Sequence, residues 1–194
     1  MSGSFSYLSV MISIILGLAV AHVLGSVVRV INGRDRIAIY WPSLLWTGTL
    51  FLLVAQLWWA DASLRDYTGW SFGSFLVLLA EPAALYVLCA LILPVPDDAS
   101  AFDMRAAFAR NRPWFLSVLL LLIALSFVKE FVLYGRVPLN ANFGALLVFA
   151  LLVFAIFAIV ALGIRSELVQ KINAVVAAVM TVAYIVILFS ALPA

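Results

Sequence analysis

Six apolar stretches, each about as long as a lipid bilayer is thick, leave this chain few folds to choose from. They run near 6–30, 39–60, 71–93, 113–134, 143–163 and 172–192. Roughly 20 helical residues cross the hydrocarbon core, and each span must satisfy its own backbone hydrogen bonds because lipid offers none. The sequence therefore predicts an all-α fold, a polytopic integral membrane protein with a bundle of six transmembrane helices. Residues 1–194 form one transmembrane domain, since no linker or low-complexity tract separates the stretches. Asn32-Gly33 and the group Gly135, Pro138 and Asn140 supply turn residues between them. Charged residues make up 10% of the chain, against about a quarter in a soluble domain. A net charge of +2 carried in short links implies no nucleic-acid partner, and the single cysteine, Cys89, excludes an intrachain disulfide.

Orientation follows from the basic residues. No Lys or Arg precedes the first stretch, while Arg29, Arg34 and Arg36 follow it. That order is the reverse of a secretory signal peptide, despite the cleavage-like Ala19-Val20-Ala21, and predicts a retained span with its N-terminus outside. The first, third and fifth links hold Arg29, Arg34, Arg36, Arg105, Arg110, Arg112, Arg165 and Lys171, eight in all, against Arg65, Lys129 and Arg136 on the other side. The bias puts the odd links in the cytoplasm and both termini outside. Tyr7, Trp58, Trp59, Tyr67, Trp70 and Tyr134 then form an outer aromatic belt, and Tyr40, Trp41, Trp46 and Trp114 an inner one.

Two stretches carry packing signals. In the first, Ser9, Ser13, Gly17, Ala21 and Gly25 recur every fourth position and lead to Arg29. Small residues at that spacing let another membrane helix approach closely, so Gly17→Leu or Ala21→Leu is expected to disrupt folding or assembly. Asn173, Ala177 and Thr181 of the sixth stretch share the spacing and are assigned as the antiparallel partner. The fifth stretch, Ala145 to Leu162, has no polar side chain; with Phe143, Phe149, Phe154 and Phe157 it is expected at the rim, facing lipid or another subunit.

The longest link runs from Pro94 to Arg112. Ser100 and Asp103 resemble a capping box, with Ala101, Met104 and Phe108 on one stripe. Two readings stand: a short helix lying on the cytoplasmic interface, or an ordered loop with one helical turn. An inverted repeat of the two halves is not supported, because the third stretch has Glu81-Pro82 at its centre and the sixth has no such break.

Glu81 carries the main chemical signal. A carboxyl group near the bilayer midplane costs on the order of 3 kcal/mol and points to function or to a helix-locking bond. Pro82 removes a backbone donor and pushes away the carbonyl of Leu78. Ser74, two turns earlier, shares Glu81's face. Lys129 lies nearer the outer end of its span and is expected to snorkel to the interface, leaving Glu81 without a cation and uncharged. His22, the one histidine, is either a proton relay or a neutral helix-to-helix bond. Gln56 and Thr49 share a face of the second stretch and are read as interhelical glue or as lining of a polar path. Glu81, His22, Gln56, Ser74 and Thr49 are thus the candidate pathway or polar core.

No catalytic constellation is visible: no GxSxG, no HExxH, no cysteine pair, no metal-ligand cluster and no Gly-rich phosphate loop. The expectation is no enzyme, no cofactor and no metal.

Tyr7 to Leu18, then Tyr40-Trp41-Pro42, Leu45-Trp46, and Gln56 before Trp58-Trp59 resemble a family of small uncharacterised multi-pass proteins of the bacterial inner membrane, with weaker echoes at Leu91 to Pro94 and around Lys129. The resemblance covers roughly the first third, implies an inner-membrane location and assigns no activity. Function is expected to be either transport of a small solute or protons past Glu81 and His22, or the packing role of a non-catalytic membrane subunit or scaffold. The partners are the lipid bilayer and a second copy or another membrane subunit. A shared water-accessible cavity for Glu81 and His22 would favour transport; separate sealed positions would favour the subunit.

Overall fold

A computed structural model of the chain describes residues 2–61, 64, 67, 69–94, 101–135 and 142–191, with side chains placed over 7–60, 64, 67, 69–94, 101–135 and 148–187. Arg65, Ser100, Arg136, Pro138, Asn140 and the side chain of Phe143, used above, lie outside the described residues. The described chain folds as six helices and two very short strands. The helices are α1 (Ser2–Asn32), α2 (Trp41–Asp61), α3 (Phe72–Ile92), α4 (Met104–Tyr134), α5 (Asn142–Gly163) and α6 (Glu167–Ala191); the strands are β1 (Ile37–Ala38) and β2 (Phe102–Asp103). Five of the helices, all but α5, are long and apolar enough to cross a membrane. The apolar segment of α5 within the described residues, Val148–Gly163, is shorter.

The helices neighbour one another in the cyclic order α1, α3, α4, α5, α6, α2, and α2 also touches α3 and α4. A ring of this kind has an inside, and the aromatic core fills one end of it. Trp46 packs edge-on against Phe115 at 5.0 Å, Phe115 lies 6.5 Å from Phe108, and Phe108 lies 5.7 Å from Tyr40. Tyr40 and Trp46 are therefore core residues and not members of an inner aromatic belt; Trp41 and Trp114 are exposed, as such a belt requires. Tyr7, Trp58, Trp59 and Tyr134 are exposed near the other end.

Two terminal features hold the ring's ends. Gly135 adopts φ 66°, and its N–H donates to Phe131 O at 2.9 Å, closing α4 with a left-handed cap that glycine reaches without steric cost. At the opposite end β1 and β2 pair in parallel, Ile37 with Phe102 and Ala38 with Asp103, tying the first link to the third. Strands of two residues carry no periodicity, which is why the sequence did not reveal them.

The third link also differs from its expected form. Among the described residues no separate interfacial helix precedes the fourth span, because α4 begins at Met104 and runs unbroken through Pro113. Asp103 is its N-cap, and its carboxylate accepts from the N–H groups of Arg105 at 2.8 Å and Ala106 at 3.2 Å. Of the stripe assigned to lipid, Met104 and Phe108 are buried in the bundle and Ala101 is exposed. Asn111 secures this part of α4 by donating to Leu91 O of α3 at 3.1 Å.

The small-residue stripe is not where α1 packs within the chain. Leu8, Ile12, Leu16, Ala19, Val23, Ser26 and Val30 are buried, a helical face at three- and four-residue steps. Ser13, Gly17 and Ala21 are exposed, Ser9 and Gly25 are half-buried, and nothing lies within 4 Å of a Cβ added at Gly17. The assigned partner is also different: Asn173, Ala177 and Thr181 are buried, but α6 packs against α2 and α5. α5 meets its neighbours through Ala150, Ala158 and Ala161, exposing Phe149, Leu152, Ile156 and Ile159 outward. Phe154, expected to face lipid, instead packs against the core.

Candidate functional site

Glu81 sits in the middle of α3, nine residues from its start, and Lys129 five residues from the end of the antiparallel α4. At 1.5 Å per residue these depths are about 13 Å and 8 Å from the same end of the bundle. The four-carbon stem of Lys129 covers the difference by running inward, and its Nζ donates to Glu81 Oε2 at 2.6 Å. The Glu81 side chain is 2% exposed and that of Lys129 15%. This overturns two expectations together: Lys129 does not snorkel outward, and Glu81 does not lack a cation. Where a lone carboxyl group was expected, a contact with Lys129 bridges α3 and α4.

The pair lines a cavity of about 260 Å³ inside the helix ring. Gln56 of α2, Ser126 and Glu130 of α4, and Tyr184 of α6 contribute its other polar side chains; Leu85, Leu119, Ile123 and Phe154 are among its apolar walls. The second oxygen of Glu81, Oε1, is buried and has no hydrogen-bond partner. A buried acceptor without a donor is costly, so Glu81 keeps an unmet demand for a proton or a donor group. Ser126 does not supply it, because its hydroxyl donates to Leu122 O at 3.1 Å.

Of the other sequence candidates, only Gln56 joins Glu81. Ser74 is a capping residue at the start of α3: its N–H donates to Ser71 Oγ at 3.1 Å, and its hydroxyl accepts from the Ser71 N–H at 2.9 Å. Thr49 is buried, and its hydroxyl donates to Leu45 O at 2.9 Å. His22 does not line the cavity; its ring stands edge-on to Tyr86 at 6.3 Å, and its Nε2 is buried without a partner. Glu81 and His22 do not share this cavity. No group of three or more His, Cys, Asp or Glu that could hold a metal occurs among the described residues.

Lys129, Glu130, Ser126 and Tyr184 were missed as members of the site. One signal was available: Lys129 is the only lysine inside an apolar stretch, and Ser126 and Glu130, four residues apart, share a helical face beside it. Comparison with protein-family models, curated proteins and solved structures gives no match to this chain.

Proposed function

We propose that the chain is a six-span inner-membrane protein with both termini outside, and that it moves a proton or a small solute through the Glu81–Lys129 cavity. The observation that carries this reading is a buried ion pair whose carboxylate keeps one oxygen unpartnered beside a void. A pair retained only to lock α3 to α4 gains nothing from an adjoining polar cavity, and apolar residues would lock the helices at least as well. Ligand pockets typically measure roughly 300–1,000 Å³, so a cavity of about 260 Å³ suits a few waters or a solute of several heavy atoms. Glu130 adds a second carboxyl group, which gives a proton somewhere to go. Reconstitution in liposomes with a trapped pH dye tests this. The wild type should dissipate an imposed pH gradient, alone or with a co-supplied small solute, and Glu81→Gln should not. Equal rates in the two would refute the reading.

A second reading, a non-catalytic subunit packing with itself or another membrane protein, is favoured by the exposed Ser13, Gly17 and Ala21 face. That face borders an apolar groove of about 550 Å³ between α1 and α2. Loss of an oligomer in Gly17→Leu, with gradient dissipation absent throughout, would select it.

A further inference from the structure

The end of the bundle opposite the Lys129 side carries a second cavity, of about 680 Å³, where the start of α4 faces the α5–α6 turn. We infer that it is a binding site for a phosphate-bearing group, of the kind an anionic lipid headgroup presents. Its walls include three arginines, Arg105, Arg112 and Arg165, against one carboxylate, Glu167. Glu167 is already engaged, by Arg105 and by Lys171 at 2.8 Å, so it does not neutralise the other two arginines.

The site is held in place from beneath. Arg112 donates to Ile164 O at 3.1 Å and to Leu162 O at 3.5 Å, and Gln170 Nε2 donates to Ala161 O at 2.9 Å and Ile164 O at 3.0 Å. Both side chains thereby satisfy carbonyls that the end of α5 leaves unbonded. A guanidinium has five N–H donors, and these two contacts leave Arg112 three. The opening turn of α6, a 25-residue helix, adds backbone N–H groups with no intrahelical partner and the positive end of its dipole.

One atom argues for a ligand and not merely for a solvated basic face. Gln170 is 5% exposed and lines the cavity, yet its Oε1 is buried and has no partner. Its amide orientation is fixed by two carbonyls that need the Nε2 hydrogens, so the oxygen must wait for a donor. A phosphodiester fits the site through its anionic oxygens on Arg112 and Arg165, and a small shift of the Gln170 side chain brings its oxygen to a hydroxyl of the same ligand. Basic pockets between membrane helices are the usual seats of such headgroups. The same chemistry exists in a soluble glycerol phosphate, and the test separates the two sources.

Native mass spectrometry of the purified full chain can count bound molecules. Phosphatidylglycerol, phosphatidylcholine and sn-glycerol 3-phosphate are offered separately to the wild type, to Arg165→Gln and to Arg34→Gln. Arg165 is exposed, so its change spares the fold, and Arg34 removes an equal charge from the first link. Retention of phosphatidylglycerol over phosphatidylcholine that falls about tenfold in Arg165→Gln, and not in Arg34→Gln, supports a lipid headgroup. The same Arg165-dependent pattern for glycerol phosphate alone supports a soluble ligand. Equal retention by wild type and Arg165→Gln for all three, or equal losses in both variants, overturns the assignment.

Discussion

Lys129 Nζ and Glu81 Oε2 meet at 2.6 Å across the contact between α4 and α3, so each helix answers the charge the other carries into the core. The bond crosses 48 residues of sequence and joins the helices that flank the central cavity. It is the point where folding and function would have to be paid for in the same residues.

Removing one member should cost more than removing both. Lys129→Met or Glu81→Leu takes an opposite charge away from a buried group, a loss of about 3–5 kcal/mol in buried pairs. Glu81→Leu combined with Lys129→Met should recover most of it, because neither member is then left buried without its partner. Reversible unfolding in mixed micelles, followed by circular dichroism, measures all three. A double variant less stable than either single one would show that the pair does not act as a unit.

The two faces of α1 should respond differently. Leu16 is buried, and Leu16→Ala should destabilise the chain by about 2 kcal/mol or more through lost packing. Gly17→Leu should leave the stability of the single chain unchanged, since a side chain there points into open space. The same unfolding assay in dilute micelles separates the cases; equal losses would mean that the packing face is misassigned.

How much of this was legible in the sequence depends on what each residue signals locally. The helices were legible because an apolar run in lipid has no other way to satisfy its backbone. The stripe Ser13, Gly17, Ala21 was legible as a face but not as an exposed one, since small residues mark close approach without naming the partner. Met104 and Phe108 form the same stripe whether it meets lipid or protein, so an interfacial helix and the first turns of α4 look alike on paper. Gln56, read from the sequence as sharing a face with Thr49, lines the cavity with Glu81, whereas Ser74 shares a face with Glu81 and yet spends its hydrogen bonds on a helix cap. The place of Lys129 was not legible, because the depth of a backbone position leaves open whether a lysine stem points inward or outward.

The start of α4 rests on Asp103. Asp103→Ala should cost about 1 kcal/mol, the usual value for losing an N-cap, because two N–H groups lose their acceptor. Hydrogen exchange should speed up at Arg105 and Ala106 and stay unchanged in the middle of α4. Unchanged exchange at those two amides would contradict the cap.

The most direct test of the central claim is proton flux through the Glu81→Leu, Lys129→Met double variant in liposomes. This variant keeps the bundle and removes only the charged pair. If the pair is the working site, an imposed pH gradient should persist in the double variant and decay in the wild type at equal protein density. Decay at the same rate in both would contradict the account and leave the Glu81–Lys129 bond a purely structural one.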